Sequence, residues 1–226
     1  MTHVKPLIIA IDGPAGSGKS SIGDMLAERL DYIHLSTGSI YRAIGWKAEQ
    51  HNIDFANVPA LVRLIEQTRI EFERKPDGTV TVLLDGDDVS ERIVTNEAGL
   101  LASAVSAIPE VRQGLLSLQR RAGEGGGVIL DGRDIGTVVF PDADVKFYLD
   151  ASVEVRAKRR NRQLQEQGIA SDLEQLIHDI RQRDYDDSHR DVAPLRKADD
   201  AIYLDSTLLT REEVIDSMLT AIRKVS

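Results

Sequence analysis

Cysteine is absent from the 226-residue sequence, and histidine is scarce. The lack of cysteine excludes disulfide bonds, thiol nucleophiles and cysteine-ligated zinc. The five histidines are scattered, and no two of them stand at the helical spacing of a metal-binding pair. Any chemistry in this chain therefore depends on other side chains.

Long apolar segments are also missing. The longest uninterrupted run is Leu7–Ile11, far short of the roughly 20 residues that span a bilayer. One lysine precedes this run and a glycine-rich loop follows it, which is unlike a secretory signal. We therefore expect a cytoplasmic protein that does not bind membranes.

Positive charge and aromatic side chains are in short supply for a nucleic-acid binder. Lys and Arg number 28 against 37 Asp and Glu, which gives a net charge of −9, and aromatic residues make up 4% of the chain. Proteins that bind nucleic acid usually carry a basic surface and, for single strands, an aromatic stacking platform. No nucleic-acid partner is expected.

Short apolar runs alternate with helical patterns along most of the chain, which predicts an α/β fold with a parallel sheet flanked by helices. After the first run, apolar residues recur at helical spacing, so a helix is expected from about Lys19 to Leu30. At roughly 100–200 residues per domain, the length fits a single domain with a small insert. The predicted strands are Leu7–Asp12, Ile33–Leu35, Val128–Leu130, Val145–Leu149 and Ala201–Leu204.

One departure from this alternation is the segment Ile70–Val94. Two strand-like runs within it flank Asp77-Gly78, a dipeptide typical of hairpin turns, and Asp85-Gly86 turns the chain again. The segment predicts a small antiparallel β insert on the α/β core.

The second departure is a cationic helical stretch, Val153–Gln165, which Gly168 ends. Ser171 and Glu174 then have the spacing of a capping box at the start of the next helix. Such a cationic face can be solvated, can bind RNA or can close over phosphates. Three of its cations share one helical face, namely Arg156, Arg159 and Arg160.

The strongest motif is Gly13-Pro14-Ala15-Gly16-Ser17-Gly18-Lys19-Ser20, which matches G-x-x-x-x-G-K-[ST] at every fixed position. Glycines let the backbone curl so that successive N–H groups face phosphate oxygens at a helix N-terminus. Lys19 supplies a charge for the β- and γ-phosphates, and the Ser20 hydroxyl a ligand for Mg²⁺. Because the motif lies between a predicted buried strand and a predicted helix, it predicts a nucleoside triphosphate site.

Polar residues follow two of the predicted strands. Ser36–Arg42 offers hydroxyls, a glycine, an aromatic ring and an arginine where a strand meets a helix, and Asp131-Gly132-Arg133-Asp134 ends another strand. In open α/β sheets, ligands bind beyond the carboxyl ends of the strands. Asp131 can organise Mg²⁺ and its waters, Arg133 can bind phosphate, and Asp134 can accept from an amino group of a base.

At this point the sequence resembles the bacterial-type cytidylate kinases, of the nucleoside monophosphate kinase family of P-loop kinases. The predicted β insert also fits, since this bacterial type carries a small sheet in its monophosphate-binding region. The matching stretches span nearly the whole chain, and they are Asp12–Ser21, Ser36–Arg42, Ser103–Arg112, Asp131–Pro141 and Arg183–Leu195.

The resemblance implies ATP-dependent phosphorylation of CMP and dCMP to CDP and dCDP, in pyrimidine nucleotide metabolism, by Mg²⁺-assisted in-line transfer. ATP and CMP or dCMP would be the partners, with Mg²⁺ as cofactor, and a monomer is expected. The ATP-binding residues implied are Gly13, Pro14, Ala15, Gly16, Ser17, Gly18, Lys19, Ser20 and Ser21.

The implied acceptor site divides by the part of CMP that it binds. The cytosine pocket would contain Thr37, Arg112, Asp134 and Arg190; the pentose site Ser103, Arg183 and Asp187; and the phosphate site Tyr41, Arg42 and Arg133. Thr37 stands where a Ser is expected in the family, so it keeps the hydroxyl and adds a methyl group. The implied metal residues are Ser20 and Asp131, the latter directly or through water, and the implied catalytic residues are Lys19, Arg133, Arg156, Arg159 and Arg160.

The implied arrangement is one P-loop kinase domain. The core of this domain comprises residues 1–36, 98–152 and 191–226. The monophosphate-binding region, which includes the β insert, comprises residues 37–97. The helical lid and the helix that follows it comprise residues 153–190. Two alternatives remain open from the residues: a P-loop kinase for UMP or a non-nucleotide alcohol, and an RNA-binding regulatory module that uses the cationic helix. For Arg183 and Asp187, a surface salt bridge is the alternative to pentose binding.

Overall fold

The computed structural model describes residues 6–75, 80–166 and 168–225. Its strands are β1 (Ile8–Asp12), β2 (Ile33–Ser36), β3 (Ile70–Arg74), β4 (Val80–Leu84), β5 (Asp87–Asp88), β6 (Val128–Gly132), β7 (Val145–Asp150) and β8 (Ile202–Asp205). Its helices are α1 (Lys19–Leu30), α2 (Thr37–Gln50), α3 (Val58–Glu66), α4 (Asn96–Ser106), α5 (Pro109–Arg121), α6 (Val153–Glu166), α7 (Leu173–His189) and α8 (Arg211–Ile222), with a π-helical turn at Ile135–Val139.

Five strands form a parallel sheet in the order β2-β6-β1-β7-β8. The five apolar runs that were predicted to form the parallel sheet all contribute strands to it. The prediction of an α/β fold is therefore confirmed. The central strand β1 pairs with β6 on one side and β7 on the other, which places Asp12 opposite Gly132 and Tyr148. The order reverses beside β1, and this is where α/β sheets open a crevice for ligands.

The sheet is covered on both faces, as continuous apolar strands require. On one face, side chains of β1 and β7 such as Ile11 and Phe147 pack against Leu26 of α1 and Met218 of α8. On the other face, Leu130 of β6 packs with Ile135 and Val139 of the π-helical turn. The two layers hold the carboxyl ends of the strands in fixed positions.

The predicted antiparallel insert is also confirmed. Strands β3, β4 and β5 form a three-stranded sheet, in which β4 pairs antiparallel with both neighbours. Asp85 and Gly86 make the second turn with φ values of 55° and 95°. The predicted hairpin turn at Asp77-Gly78 lies outside the described residues. The insert shares a core with α2, α3, α4 and α5.

The start of α7 differs from its prediction by one residue. The N-cap is Asp172, whose carboxylate accepts from the N–H groups of Glu174 and Gln175 at 2.8 and 3.4 Å. Ser171 instead donates its hydroxyl to Asn161 at 2.6 Å. The predicted capping box from Ser171 was therefore wrong, because the Asp172 carboxylate, one position later, accepts from the free N–H groups at the start of the helix.

The close packing of α2 on α4 gives a test of this architecture. A Cβ added at Gly45 of α2 would lie 2.9 Å from Leu101 Cβ and 3.0 Å from the Leu101 carbonyl carbon, whereas one at Gly99 of α4 would meet nothing within 4 Å. We expect Gly45→Ala to lower the free energy of unfolding by about 1–3 kcal/mol through overpacking. Gly99→Ala, the control, should raise it by up to ~1 kcal/mol through helix propensity. Urea unfolding measures both changes, and an equal gain for the two variants would contradict the α2–α4 packing.

Candidate active site

The carboxyl ends of three neighbouring strands bring the sequence motifs together. β1 ends at Asp12 and leads into the glycine-rich loop, β2 ends at Ser36, and β6 contains Asp131 near its end. In the sheet register, Ser36 lies directly opposite Asp131 and Asp12 opposite Gly132. The donor loop and the two polar strand ends therefore share one edge of the sheet, as predicted.

The glycine-rich loop needs its glycines at the positions that the motif fixes. Gly13 has a φ of 151°, and a Cβ there would lie 2.0 Å from the Leu149 carbonyl oxygen of β7. Gly18 is the N-cap of α1 in the left-handed region, with a φ of 98°. The loop thus lies tightly against β7 and turns directly into a helix N-terminus, which is the geometry that binds phosphate.

Three carbonyl oxygens of the loop accept hydrogen bonds from cations. Lys19 Nζ donates to Pro14 O at 2.7 Å, Arg156 Nη1 to Ala15 O at 2.9 Å, and Arg159 Nη1 to Ser17 O at 3.2 Å. Cations that hold the carbonyl side of such a loop favour the orientation in which its N–H side serves an anion.

Lys19 is almost fully buried and has no carboxylate in direct contact in the described chain. Burial first, and the positive charge of Arg133 second, lower its pKa to about 7. A phosphate bound in the loop would bring negative charge to the ammonium group and restore its charge. Lys19 is therefore poised for an anion rather than held in a salt bridge.

Asp131 lies at the centre of a buried hydrogen-bond network. Its Oδ1 accepts from the Ser36 hydroxyl at 3.0 Å, and its Oδ2 lies 3.0 Å from His34 Nε2; Ser20 lies nearby. Although burial opposes it, the hydrogen bond and charge of His34, followed by the charge of Lys19, hold the pKa of Asp131 well below its usual range. The carboxylate is therefore ionised at neutral pH.

The Ser20–Asp131 pair fits Mg²⁺ in the way that phosphate-transfer enzymes bind it. Both side chains carry hard oxygen ligands and lie near each other, and Mg²⁺ usually takes one or two protein oxygens and fills its other positions with phosphate and water. No cluster of three or more acidic or histidine side chains that could hold a metal ion alone occurs in the described residues. The donor set is suited to a metal that arrives with a nucleotide.

On the acceptor side, two carboxylates each bind arginines. Asp134 forms a buried ion pair with Arg112, and its other oxygen lies 3.9 Å from Arg190 Nη2. Asp187 accepts from Arg133 Nε at 2.8 Å and lies 3.7 Å from Arg190 Nη1. These contacts join residues from α5, the end of β6, α7 and the turn after it into one cluster.

The alternative of a surface salt bridge between Arg183 and Asp187 is wrong. Asp187 is 7% exposed, and its hydrogen-bonded partner is Arg133, which lies 54 positions away in the chain. Spacing along α7 indicated only the neighbour at i−4, whereas the fold brings the end of β6 against the helix. Arg190 lies just past the end of α7, as its C-cap, rather than within the helix.

Several arginine N–H groups of this cluster have no protein acceptor. In the described ranges, Nε of Arg42, Nε of Arg183 and Nη2 of Arg190 are buried without a hydrogen-bond partner. Burial, followed by the charge of Arg133, lowers the pKa of Arg183 to about 10, and burial also lowers that of Arg42. Buried donors of one charge in mutual repulsion indicate a site that an anion completes.

The remaining predicted acceptor residues line the same region. The Tyr41 ring is buried beneath Arg112, whose guanidinium carbon lies 5.3 Å from the ring centroid. Thr37 Oγ1 donates to the Asp131 carbonyl oxygen at 2.8 Å, which leaves its lone pairs as acceptors. Ser103 is half-buried on α4, three residues before Ser106, whose carbonyl oxygen accepts from Arg112 at 3.2 Å.

The three lid arginines occupy different environments. Arg156 is buried, and it donates to Ala151 O, to Ala15 O and, through both Nη atoms, to the Asp184 carboxylate at 3.1 and 2.5 Å. Arg159 bridges Ser17 O and Ser206, with Nη2 2.8 Å from Ser206 O. Within the described residues, Arg160 hydrogen-bonds only to its own helix, at Gln163 Oε1, 2.7 Å away. Arg156 and Arg159 therefore already anchor α6 to the donor loop.

Sequence reasoning missed three residues of this site. His34 bridges Asp131 and Asp24, with Nδ1 2.7 Å from Asp24 Oδ1, and the ring fits only because Gly23 has no side chain, since a Cβ there would lie 2.4 Å from His34 Nε2. Asp184 binds Arg156, and Asp12 accepts from two backbone N–H groups after Asp134. The sequence offered one signal for His34, which was Gly23 inside a predicted helix. The contacts of Asp184 and Asp12 could not be predicted, because each joins segments that are distant in the chain.

Comparison with known proteins agrees with this geometry. The family model described as cytidylate kinase matches residues 9–224. A cytidylate kinase of Caldicellulosiruptor saccharolyticus is 48% identical over 222 residues, which are 98% of this chain and 98% of that protein. A cytidylate kinase of Lactobacillus johnsonii is 47% identical over 216 residues, 96% of this chain and 94% of that protein.

Among solved structures, an uncharacterized protein of Eubacterium ventriosum is similar, with a TM-score of 0.51, 14% identity, and coverage of 97% of this chain and 99% of that one. Similarity at this identity shows the fold alone. None of the helices in the described ranges is long and apolar enough to cross a membrane.

The His34 network predicts a pH-dependent contribution to stability. Although burial opposes it, the hydrogen bonds that His34 donates to the carboxylates of Asp131 and Asp24 raise the pKa of His34 from 6.5 to about 9. Because the folded-state value is the higher one, the stabilisation is fully present below pH 6.5 and is lost as the pH rises to about 9. The difference in unfolding free energy between wild type and His34→Gln should therefore shrink by a few kcal/mol over this range, at ~1.4 kcal/mol per pKa unit.

Urea unfolding in the absence of nucleotide, at several pH values, measures this difference. Taking the difference between the two proteins removes the opposing contribution of Lys19, which both contain. The exposed His178 provides a control, and His178→Gln should show no comparable dependence. A His34→Gln difference that is constant with pH would contradict a charged His34 in the folded protein.

Proposed function

The chain belongs to the cytidylate kinase family, and on that premise we propose how its residues phosphorylate CMP and dCMP with ATP. The reaction forms a bond from an acceptor phosphate oxygen to the γ-phosphorus and breaks the bond from that phosphorus to the β–γ bridging oxygen. The products are ADP and CDP or dCDP. Catalysis of this reaction depends on positioning and on charge stabilisation.

The observation that carries the proposal is the set of buried arginine donors without acceptors. Arg42 and Arg183 each direct a buried, unpartnered Nε into the cluster around Arg133. A monophosphate brings two negative charges and several acceptor oxygens, which is what such a cluster lacks. We assign Arg42 and Arg133 to the acceptor phosphate, with Tyr41 beside them.

The base site follows from the groups around Asp134. Cytosine presents an amino donor next to an unprotonated ring nitrogen, so Asp134 can accept from the amino group. Arg112, Arg190 and Thr37 can serve the other polar atoms. Uracil would instead place a carbonyl oxygen against the Asp134 carboxylate, and two facing acceptors in a buried site are strongly unfavourable.

On the donor side, residues Gly13–Ser21 bind ATP, and Lys19 contacts the β- and γ-phosphates. Ser20 and Asp131 would hold Mg²⁺, which would supply positive charge to stabilise the transferred phosphoryl group. Arg159 already contacts the loop through Ser17 O, 3.2 Å from its Nη1, and would serve the phosphates from there. Arg156 would reach the transferred group by exchanging the Asp184 carboxylate for phosphate oxygens, and Arg160 would join it as the lid closes.

The pentose contacts and the broader setting complete the proposal. Asp187, Arg183 and Ser103 would bind the sugar, with Asp187 held in place by Arg133. The acceptor phosphate is anionic near neutral pH, so the reaction needs no general base. We also propose that the protein acts as a cytoplasmic monomer in pyrimidine nucleotide metabolism, with core, monophosphate-binding and lid regions at the boundaries given above.

Acceptor specificity tests the proposed function. Coupled assays of ADP release with CMP, dCMP, UMP, AMP and shikimate should show efficient turnover with the two cytidylates only. Asp134→Ala should lower kcat/KM for CMP by roughly 10²–10⁴, because the amino donor loses its partner, and should affect UMP far less. Asp142→Ala, an exposed carboxylate in the following loop, is the control. Equal losses for CMP and UMP would assign Asp134 a purely structural role.

A further inference from the structure

The last residue of β1, Asp12, is a buried carboxylate that neither substrate site has used so far. It is 3% exposed. Its Oδ1 accepts from the Ile135 N–H and its Oδ2 from the Gly136 N–H, both at 2.7 Å. These two N–H groups begin the π-helical turn, directly after Arg133 and Asp134.

Several features show that this contact is built into the fold at an energetic cost. Burial raises the pKa of Asp12 to about 7, and the nearby negative charge of Asp134 adds a smaller effect in the same direction. The two backbone hydrogen bonds lower this pKa. A Cβ at Gly136 would lie 3.3 Å from Asp12 Oδ2 and 3.0 Å from Lys146 Cδ. The glycine therefore allows the backbone to approach the carboxylate closely.

The contact joins the two halves of the site. Asp12 precedes Gly13, the first residue of the donor loop, and it fixes the two peptide groups that follow Asp134. A change in the backbone at Ile135 would move Asp134 relative to Arg112 and Arg133 relative to Asp187. Both pairs belong to the acceptor cluster, whereas Asp12 itself lies on the donor side.

We propose that Asp12 is a positioning residue that sets the Arg133–Asp134 segment, and hence the acceptor nucleotide, relative to the ATP-binding loop. This inference rests on the proposed function, because it assigns Arg133 and Asp134 to the acceptor. The alternative is that Asp12 merely caps the π-helical turn. Capping alone would affect stability and leave the choice between acceptors unchanged.

The two roles differ in their kinetic signature. If Asp12 positions the acceptor, Asp12→Ala should lower kcat/KM for CMP at least tenfold while the KM for ATP changes less than threefold. The ratio of kcat/KM for CMP over UMP should fall at least fivefold, since the base-reading carboxylate is displaced. Asp12→Asn keeps one acceptor oxygen for one of the two N–H groups, so its effects should be intermediate.

A nearby carboxylate gives a matched control. Asp200 also lies beside this region, where it pairs with Lys146 at 2.7 Å, and in the described part of the chain it forms no ion pair with the acceptor cluster. Asp200→Asn should leave both kinetic ratios unchanged. A readout without turnover is the amide proton shift of Ile135 and Gly136, which should move upfield in Asp12→Asn because the charged acceptor is lost.

The outcomes separate the inference from the function on which it rests. A wild-type enzyme that does not prefer CMP to UMP would overturn the proposed function itself. A wild-type preference that persists in Asp12→Asn and Asp12→Ala, with only the melting temperature lowered, would overturn the positioning role. If Asp12→Ala fails to fold, Asp12→Asn and the milder Gly136→Ala, which crowds the same carboxylate, decide the question by the same ratios.

Discussion

The central constraint on this site is the repulsion among positively charged arginine side chains, which the fold holds close together in a buried cleft. Five guanidinium groups converge there with two carboxylates as direct partners, and they are Arg42, Arg112, Arg133, Arg183 and Arg190, with Asp134 and Asp187. Ion pairs offset part of the repulsion, but buried pairs gain little net stability because desolvation opposes them. The surplus positive charge of this cluster favours the binding of an anion.

Much of the fold serves to place these charges. A parallel sheet brings the ends of β1, β2 and β6 to one edge, and α7 contributes Asp187, which accepts from Arg133 just after β6. Arg156 ties the lid helix, the donor loop and α7 together through Ala15 and Asp184. A single buried side chain of α6 therefore contacts both the glycine-rich loop and α7.

Local sequence predicted what is determined locally. The glycine-rich loop, α1, the antiparallel insert and the polar end of β6 each depend on a short run of residues, and the structure contains all four. Local sequence could not predict that Asp187 binds Arg133 or that Asp12 binds the Ile135 N–H group. Each of these contacts joins segments that lie more than 50 residues apart. His34 was counted only among the scattered histidines, yet it lies on β2 and joins Asp131 of β6 to Asp24 of α1 through hydrogen bonds. The exact first residue of α7 depends on which side chain accepts from the free N–H groups, and Asp172 does so instead of Ser171.

The central claim is that the arginine cluster binds the phosphate of the acceptor. Isothermal titration calorimetry with CMP and with cytidine, in the absence of ATP, tests it directly, since the two ligands differ only in that phosphate. Charge-assisted hydrogen bonds contribute about 1.5–3 kcal/mol each, and two of them correspond to at least about 100-fold in affinity. We predict that CMP binds at least about 100-fold more tightly than cytidine and that Arg42→Gln removes most of the difference. Equal affinity for CMP and cytidine would contradict the account.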